Sequence, residues 1–466
     1  MTEEEIIASL REAYYAFCDC DFKKFRQLLG AVSGALEAYP ENHPLRGELI
    51  LVTALKSFAE PAKLTEGFRL ALALIGGRSK VFLKKPALTL DFYNVFGIYY
   101  RTGRADEIAD ELDRAAALFE QLTGSGTETA LCYRAQLAYY RGENETALRL
   151  AEKAYALARE RGNHLVSLCL AELVGNLAKH AGNEKLWNKM NFYIDSVIND
   201  PERRRICTET AAMIRAEANM HLGVFKDLPD YIRTGKFGVI PQPNHPLGFA
   251  VTENRIPPTL LYPSGITHIQ YLFYHKRHIE AINASGMLRL VWGASPYPFG
   301  NAYLDLLLAS NYRMIGDMES AHFYIESALA QIAPDGLWLI PAEFVLTSMG
   351  SFILETVEKY DPEAGTAVRD LGVGYWNKLD DLRSIIHRES LISALNDREF
   401  EVALLAADRL SAGEIAKQLF ISESTVKFHL SNIFGKLGIK KKAELAAALE
   451  KNISYNFSLL KIRKDW

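Results

Sequence analysis

Between Ser422 and Phe434, one lysine, one phenylalanine and several hydroxyls recur at helical spacing, a set suited to gripping a partner. On a wheel of about 100° per residue, Val426, Leu430, Ile433, Phe434 and Leu437 fall in one apolar sector, the face that must pack on other helices. Ser424, Lys427, Phe428, Ser431 and Gly435 fill a second sector on the other side. A phenylalanine turned away from its own core, beside an ammonium donor and small hydroxyls, marks a surface with something to touch.

Little else in the chain points to chemistry. There is no His-Glu-x-x-His, nucleophile elbow or Cys/His zinc spacing. His275 and His278 stand at i and i+3, but without a carboxylate ligand set they read as a solvated basic turn rather than a metal site. Asp106, Asp110, Glu111 and Asp113 read as a solvated helix face. Gly76-Gly77-Arg78-Ser79-Lys80 lacks the spacing that cradles phosphates. The five cysteines are scattered and read as reduced thiols, with Cys18 and Cys20 as ordinary helix packing. The expectation is a protein that is not an enzyme and holds no metal or cofactor.

The elements that position the outward face are short helices. Ser411-Ala412-Gly413-Glu414 is a capping box, hydroxyl at N-cap and carboxylate at N3, opening a helix from Ala412 to Phe420. Ile421 makes the turn, Ser422 caps the next helix, and Gly438 ends it in the left-handed conformation. Asn396 and Glu399 form another cap pair ahead of an apolar run, and Ala443 to Leu449 is a short fourth helix. Four helices within residues 395–449, one of them protruding, make a helix-turn-helix bundle.

These residues resemble the LuxR-type (NarL/FixJ-type) helix-turn-helix regulators. The resemblance runs through Leu395, Arg398, Glu399 and Val402, then Leu410-Ser411, Glu414-Ile415-Ala416 and Leu419-Phe420-Ile421-Ser422. It continues through Thr425-Val426-Lys427, His429-Leu430, Ile433 and Lys436-Leu437-Gly438. Two residues depart from the family pattern: Arg409 stands where Gly is usual, and Ser431 where a long side chain is common. The resemblance implies double-stranded DNA as partner. It assigns base-edge contacts to Lys427, Phe428 and Ser431, and phosphate contacts to Ser422, Ser424, Thr425 and Lys436. The chemistry agrees in part: Lys427 can donate to guanine O6/N7, and the Phe428 ring can meet only an apolar group such as a thymine methyl. Binding as a homodimer is also implied, through a fourth helix where Leu445 and Leu449 share a face and one of them can instead serve the module's own core. RNA polymerase is a further implied partner.

Upstream, the chain reads as helical with weak internal repetition. An apolar helix ends near a glycine, and a second helix follows with small residues at i, i+4 and i+7. The copies run through Gly103 to Ile108, Leu112 and Ala115; through Gly142 to Ala147, Ala151 and Ala154; and through Gly316 to Ala321, Ile325 and Ala328. Glycines 103, 142, 182 and 223 lie about 40 residues apart, a period typical of helical solenoids. These units resemble degenerate tetratricopeptide repeats of the kind found in large LuxR-type activators. Other helical-pair repeats fit the same pattern.

Two stretches break the rhythm. Residues 237–263 carry six prolines, and Trp292 to Gly300 carries two more. Their aromatic content fits either a packed crossover between halves of the solenoid or the wall of a ligand pocket. In the pocket reading, Asn244, His245, Asn254, Tyr262 and Trp292 hold an apolar or planar small molecule.

The 466 residues carry a net charge of −4, yet from Ser411 onward ten Lys/Arg face five Asp/Glu. An acidic body with a basic C-terminal module suits DNA binding confined to that module. There is no apolar run of membrane-spanning length, and the acidic N-terminus is unlike a signal peptide. The expected architecture is all-α: a tetratricopeptide-like solenoid over residues 1–389 and a four-helix LuxR-type domain over 390–466. The expected function is a cytoplasmic one-component regulator that senses a small molecule. The alternative is an interaction scaffold whose partner protein controls DNA binding.

Overall fold

The computed structural model describes residues 1–18, 21–82, 86–88, 95–225, 228–237, 239–241, 249–251, 260–292, 297–345, 349–392, 395, 397–407, 410–419, 421–445 and 448. Helix dominates, with one short antiparallel ribbon, β1 (Val239–Pro241) paired to β2 (Phe249–Val251). The chain divides into two compact units. The first comprises Met1–Leu177, Leu186–Ile214 and Pro229–Val373; the second comprises Ala178–Lys185, Arg215–Leu228 and the chain from Gly374.

The first unit is built largely of helix hairpins. α1 (Glu3–Cys18) packs on α2 (Phe22–Ala35), and α3 (Pro44–Ala54) on α4 (Pro61–Ile75), which also meets α5 (Ala105–Thr123). α6 (Thr127–Tyr140) pairs with α7 (Asn144–Arg161), and α8 (His164–Ala181), α9 (Glu184–Ile198), α10 (Arg205–His221) and the short α11 (Asp230–Thr234) follow. After the ribbon come α12 (Leu261–Tyr274) on α13 (His278–Trp292) and α14 (Pro298–Met314) on α15 (Met318–Ile332). α16 (Leu339–Ala342) and α17 (Gly350–Tyr360) complete it.

Several of the hairpin turns share one geometry. At Gly142 (φ 84°) the amide of Glu143 reaches back to the Ala138 carbonyl (2.9 Å) and that of Gly142 to Tyr139 (2.8 Å). This double return satisfies the last carbonyls of α6 and needs a left-handed residue. The pattern recurs at Gly182, Gly223 and Gly316. At the α12–α13 turn Lys276 takes the left-handed position itself (φ 58°). The His275–His278 stretch is therefore one more hairpin turn, with His278 Nδ1 3.0 Å from Asn311 Oδ1. The expected small-residue positions on the second helices are all buried: Ile108, Leu112 and Ala115; Ala147, Ala151 and Ala154; Ala321, Ile325 and Ala328.

Contacts also join hairpins far apart in sequence. Arg104, at the N-cap of α5, provides no side-chain cap. The Asp335 carboxylate, 230 residues on, takes the amide of Ala105 (2.9 Å) and also that of Gly103 and the Tyr99 hydroxyl. Burial, with that carboxylate beside it, pushes the Tyr99 phenol well above its usual range. Arg141 holds the Asp335 carbonyl (3.1 Å) and Asp106 in a bidentate pair (2.9 and 2.8 Å). Three of the four carboxylates expected on a solvated face are thus paired, since Arg134 also bridges Asp110 and Asp113. Tyr100 donates to the fourth, Glu111 (3.3 Å).

Both proline-rich breaks are partly helical. Pro263 lies in the first turn of α12, and Pro298 opens α14 at a position where a missing N–H costs nothing. Asn244, His245 and Asn254 lie outside the described residues.

In the second unit, α18 (Ala364–Ile392), from Gly374 on, packs against the ends of α8 and α10. Tyr375 lies against His180 (centroids 4.2 Å apart), and Arg383 donates to the His221 carbonyl (3.1 Å). Lys179 Nζ meets His221 Nδ1 at 2.7 Å. The unit also contains three further helices, α19 (Asp397–Ala407), α20 (Ala412–Leu419) and α21 (Glu423–Leu437).

Candidate nucleic-acid interface

A compact core holds α19, α20 and α21 together: Leu395, Val402, Ala403, Ala406, Ile415, Ala416, Val426, Ile433 and Leu445. Leu430, Phe434 and Leu437 pack against it half-buried, so the apolar sector of α21 faces inward as its spacing requires. Ser424, Lys427, Phe428, Ser431 and Gly435 are all exposed, Phe428 at 64%.

Local chemistry explains the shape of the turn. Ser411 Oγ accepts from the Glu414 amide (3.3 Å), and the Glu414 carboxylate accepts from the Ser411 amide and hydroxyl (both 2.7 Å). These bonds hold the Glu414 carboxyl below its usual range. Ser422 is extended (φ −74°, ψ 152°), and its Oγ accepts from the Thr425 amide (3.1 Å). The Ser424 and Thr425 hydroxyls each lie 2.7 Å from Ser422 Oγ, so three hydroxyls crowd the start of α21 beside its unpaired N–H groups. Gly438 (φ 68°) closes the helix.

Three charged contacts go beyond the sequence reading. Lys427 pairs with Glu423 one turn earlier (3.0 Å), both well exposed. Arg398 donates to the Leu419 carbonyl at the end of α20 (2.6 Å). Glu399, expected in a cap pair with Asn396, is buried to 2% exposure and accepts from Lys436 (2.6 Å); Asn396 lies outside the described residues. The i, i+4 spacing of Glu423 and Lys427 could have signalled the first contact. The other two join residues 21 and 37 positions apart, with no local signal.

The Tyr262 hydroxyl donates to the Gly300 carbonyl (2.5 Å), with its ring close to that glycine. Trp292 ends α13, its side chain outside what is described, as are Arg409 and Leu449. Leu445 points into the module's core, directly after a 3-10 turn at Lys442–Glu444; Ala446, Ala447 and Leu449 of the expected fourth helix lie outside the described residues. Among the described residues no cluster of His, Cys, Asp and Glu is arranged to hold a metal, and no helix is long and apolar enough to cross a membrane.

Residues 393–449 match the model of the bacterial regulatory proteins, luxR family. Over 55 residues the chain is 44% identical to the spore germination protein GerE of Bacillus subtilis, which covers 12% of this chain and 74% of that protein. The chain belongs to the luxR family of bacterial regulatory proteins. Two further relatives are matched over smaller shares of their own length. A nitrate/nitrite response regulator protein homolog of Haemophilus influenzae is 43% identical over 56 residues, 12% of this chain and 27% of its own. The DNA-binding transcriptional activator DevR/DosR of Mycobacterium tuberculosis is 26% identical over 111 residues, 22% of this chain and 50% of its own. The chain thus spans half or less of the length of these two relatives. No solved structure matches the chain.

Proposed function

We propose that this chain is a cytoplasmic, sequence-specific DNA-binding transcription regulator, with DNA bound by residues 390–466 and a signal received by residues 1–389. The observation that carries the reading is the outward face of α21, where Lys427, Phe428 and Ser431 stand exposed on a helix whose other side is locked into a core. A helix so presented fits the major groove. Lys427 then donates to guanine, Phe428 meets a thymine methyl and Ser431 lies over a base edge. The hydroxyls of Ser422, Ser424 and Thr425, with the N–H groups of the first turn of α21, suit phosphate. Lys436 stands apart from them, bound to Glu399. Two copies on half-sites about one helical turn apart complete the DNA-bound form, with RNA polymerase as the downstream partner.

For the body, the recurring hairpins with buried alanines at 147, 151 and 154 support a tetratricopeptide-like sensor, and we assign it a small-molecule effector. Exposed Ile279, Met314, Ile315 and Met318, near turns bridged by His278 and Asn311, favour the second reading, a partner protein. An effector raises the melting temperature when added, whereas a partner co-purifies as a stable complex. A genome-wide map of bound sites tests the DNA reading: discrete sites near promoters support it, and uniform occupancy overturns it.

A further inference from the structure

We infer that Glu399 and Lys436 form a positioning pair that sets the recognition helix, and that Lys436 is not a phosphate contact. This deepens the DNA-binding reading and rests on it. Glu399 is 2% exposed, and a carboxylate at that depth requires a charged or hydrogen-bonding partner. Lys436 Nζ lies 2.6 Å away, reaching from the last turn of α21 into α19 with its side chain 43% exposed. The end of a helix also favours a cation, so the ammonium is held from two sides. Moving it to a phosphate would leave Glu399 buried and less compensated, which opposes that use.

The neighbouring residue acts in the same way. Arg398 binds the carbonyl of Leu419, at the end of α20 (2.6 Å). Consecutive residues of α19 therefore hold the end of α20 and the end of α21, the two helices on either side of the turn. The exposed face of α21 carries Lys427, Phe428 and Ser431, so a shift of that helix displaces all three at once. An ion pair with one buried partner adds little net stability, so the role assigned to this pair is to select one arrangement of the helices. The pair is thus expected to act on discrimination between DNA sequences.

The test uses the full chain, a random-sequence duplex and the consensus duplex that the wild type selects from a randomised pool. Lys436→Met is expected to lose about tenfold in affinity for the selected duplex, the scale of one base contact. On the random duplex both its affinity and its dependence on salt should stay as in the wild type. Lys436→Arg should restore discrimination, and Glu399→Gln with Lys436→Met should do no more harm than the worse single change. A salt slope lowered by about one in Lys436→Met, with equal losses on both duplexes, would make Lys436 a phosphate contact and overturn the inference. If Glu399→Gln does not fold, the two Lys436 variants decide alone. A wild type that selects no consensus overturns the DNA reading itself, a result distinct from either outcome for the variants.

Discussion

Replacing Phe428 by alanine separates reading from folding. The residue is 64% exposed, so its ring contributes little to the module's core and the substitution should shift stability by no more than about 0.5 kcal/mol. Taking about 200 Å² for a phenylalanine side chain, roughly 130 Å² is left for a partner. At about 25 cal/mol per Å², complete cover by DNA contributes ~3 kcal/mol, and contact with a single thymine methyl a fraction of it. Phe428→Ala should therefore lose about 1–3 kcal/mol on the selected duplex and almost nothing on a random one. Fluorescence titrations at fixed salt measure the loss, and a melting curve checks the fold. Selection repeated with the variant should show one A·T position relaxed. Equal losses on both duplexes, or none on either, would refute the reasoning.

Arg161 lies between Glu120 and fully buried Glu128 (2.5 and 2.6 Å), so Arg161→Ala should cost about 3–5 kcal/mol, read as a lower melting midpoint. Gly142→Ala forces a side chain into a left-handed turn with Leu371 3.1 Å from the new carbon, and should cost about 1–2 kcal/mol in denaturant melts. Burial, with Lys179 and Arg383 beside it, holds the His221 imidazole well below its usual pKa. Its contribution to stability is full above the unfolded value of about 6.5 and is lost as pH falls below it. Melting midpoints of the wild type should drop on that side, and His221→Asn should flatten the profile.

The face of α21 was legible because helical periodicity and caps are local. Val426 and Ile433 are buried, Lys427 and Phe428 are exposed, and Ser411, Glu414 and Ser422 make the bonds their types predict. Glycine spacing located the turns at Gly142, Gly182, Gly223 and Gly316 for the same reason, but it passed over the turn where Lys276 takes the left-handed position. Pro298 read as a break because proline stops a helix and starts one equally well. The Asp335 cap on α5 and the Glu399–Lys436 pair depend on which surfaces meet, and nothing near those residues in sequence announces it. The proposed effector residues at 244, 245 and 254 fall outside the described structure, and Tyr262 is engaged by Gly300.

The most direct measurement is a titration of the full chain, at one physiological salt concentration, on its selected duplex and on a random duplex of equal length. We expect at least about a thousandfold preference for the selected duplex, greatly reduced when Lys427 and Phe428 are both replaced by alanine. Equal affinity for the two duplexes, or a preference that survives the double substitution, would contradict it.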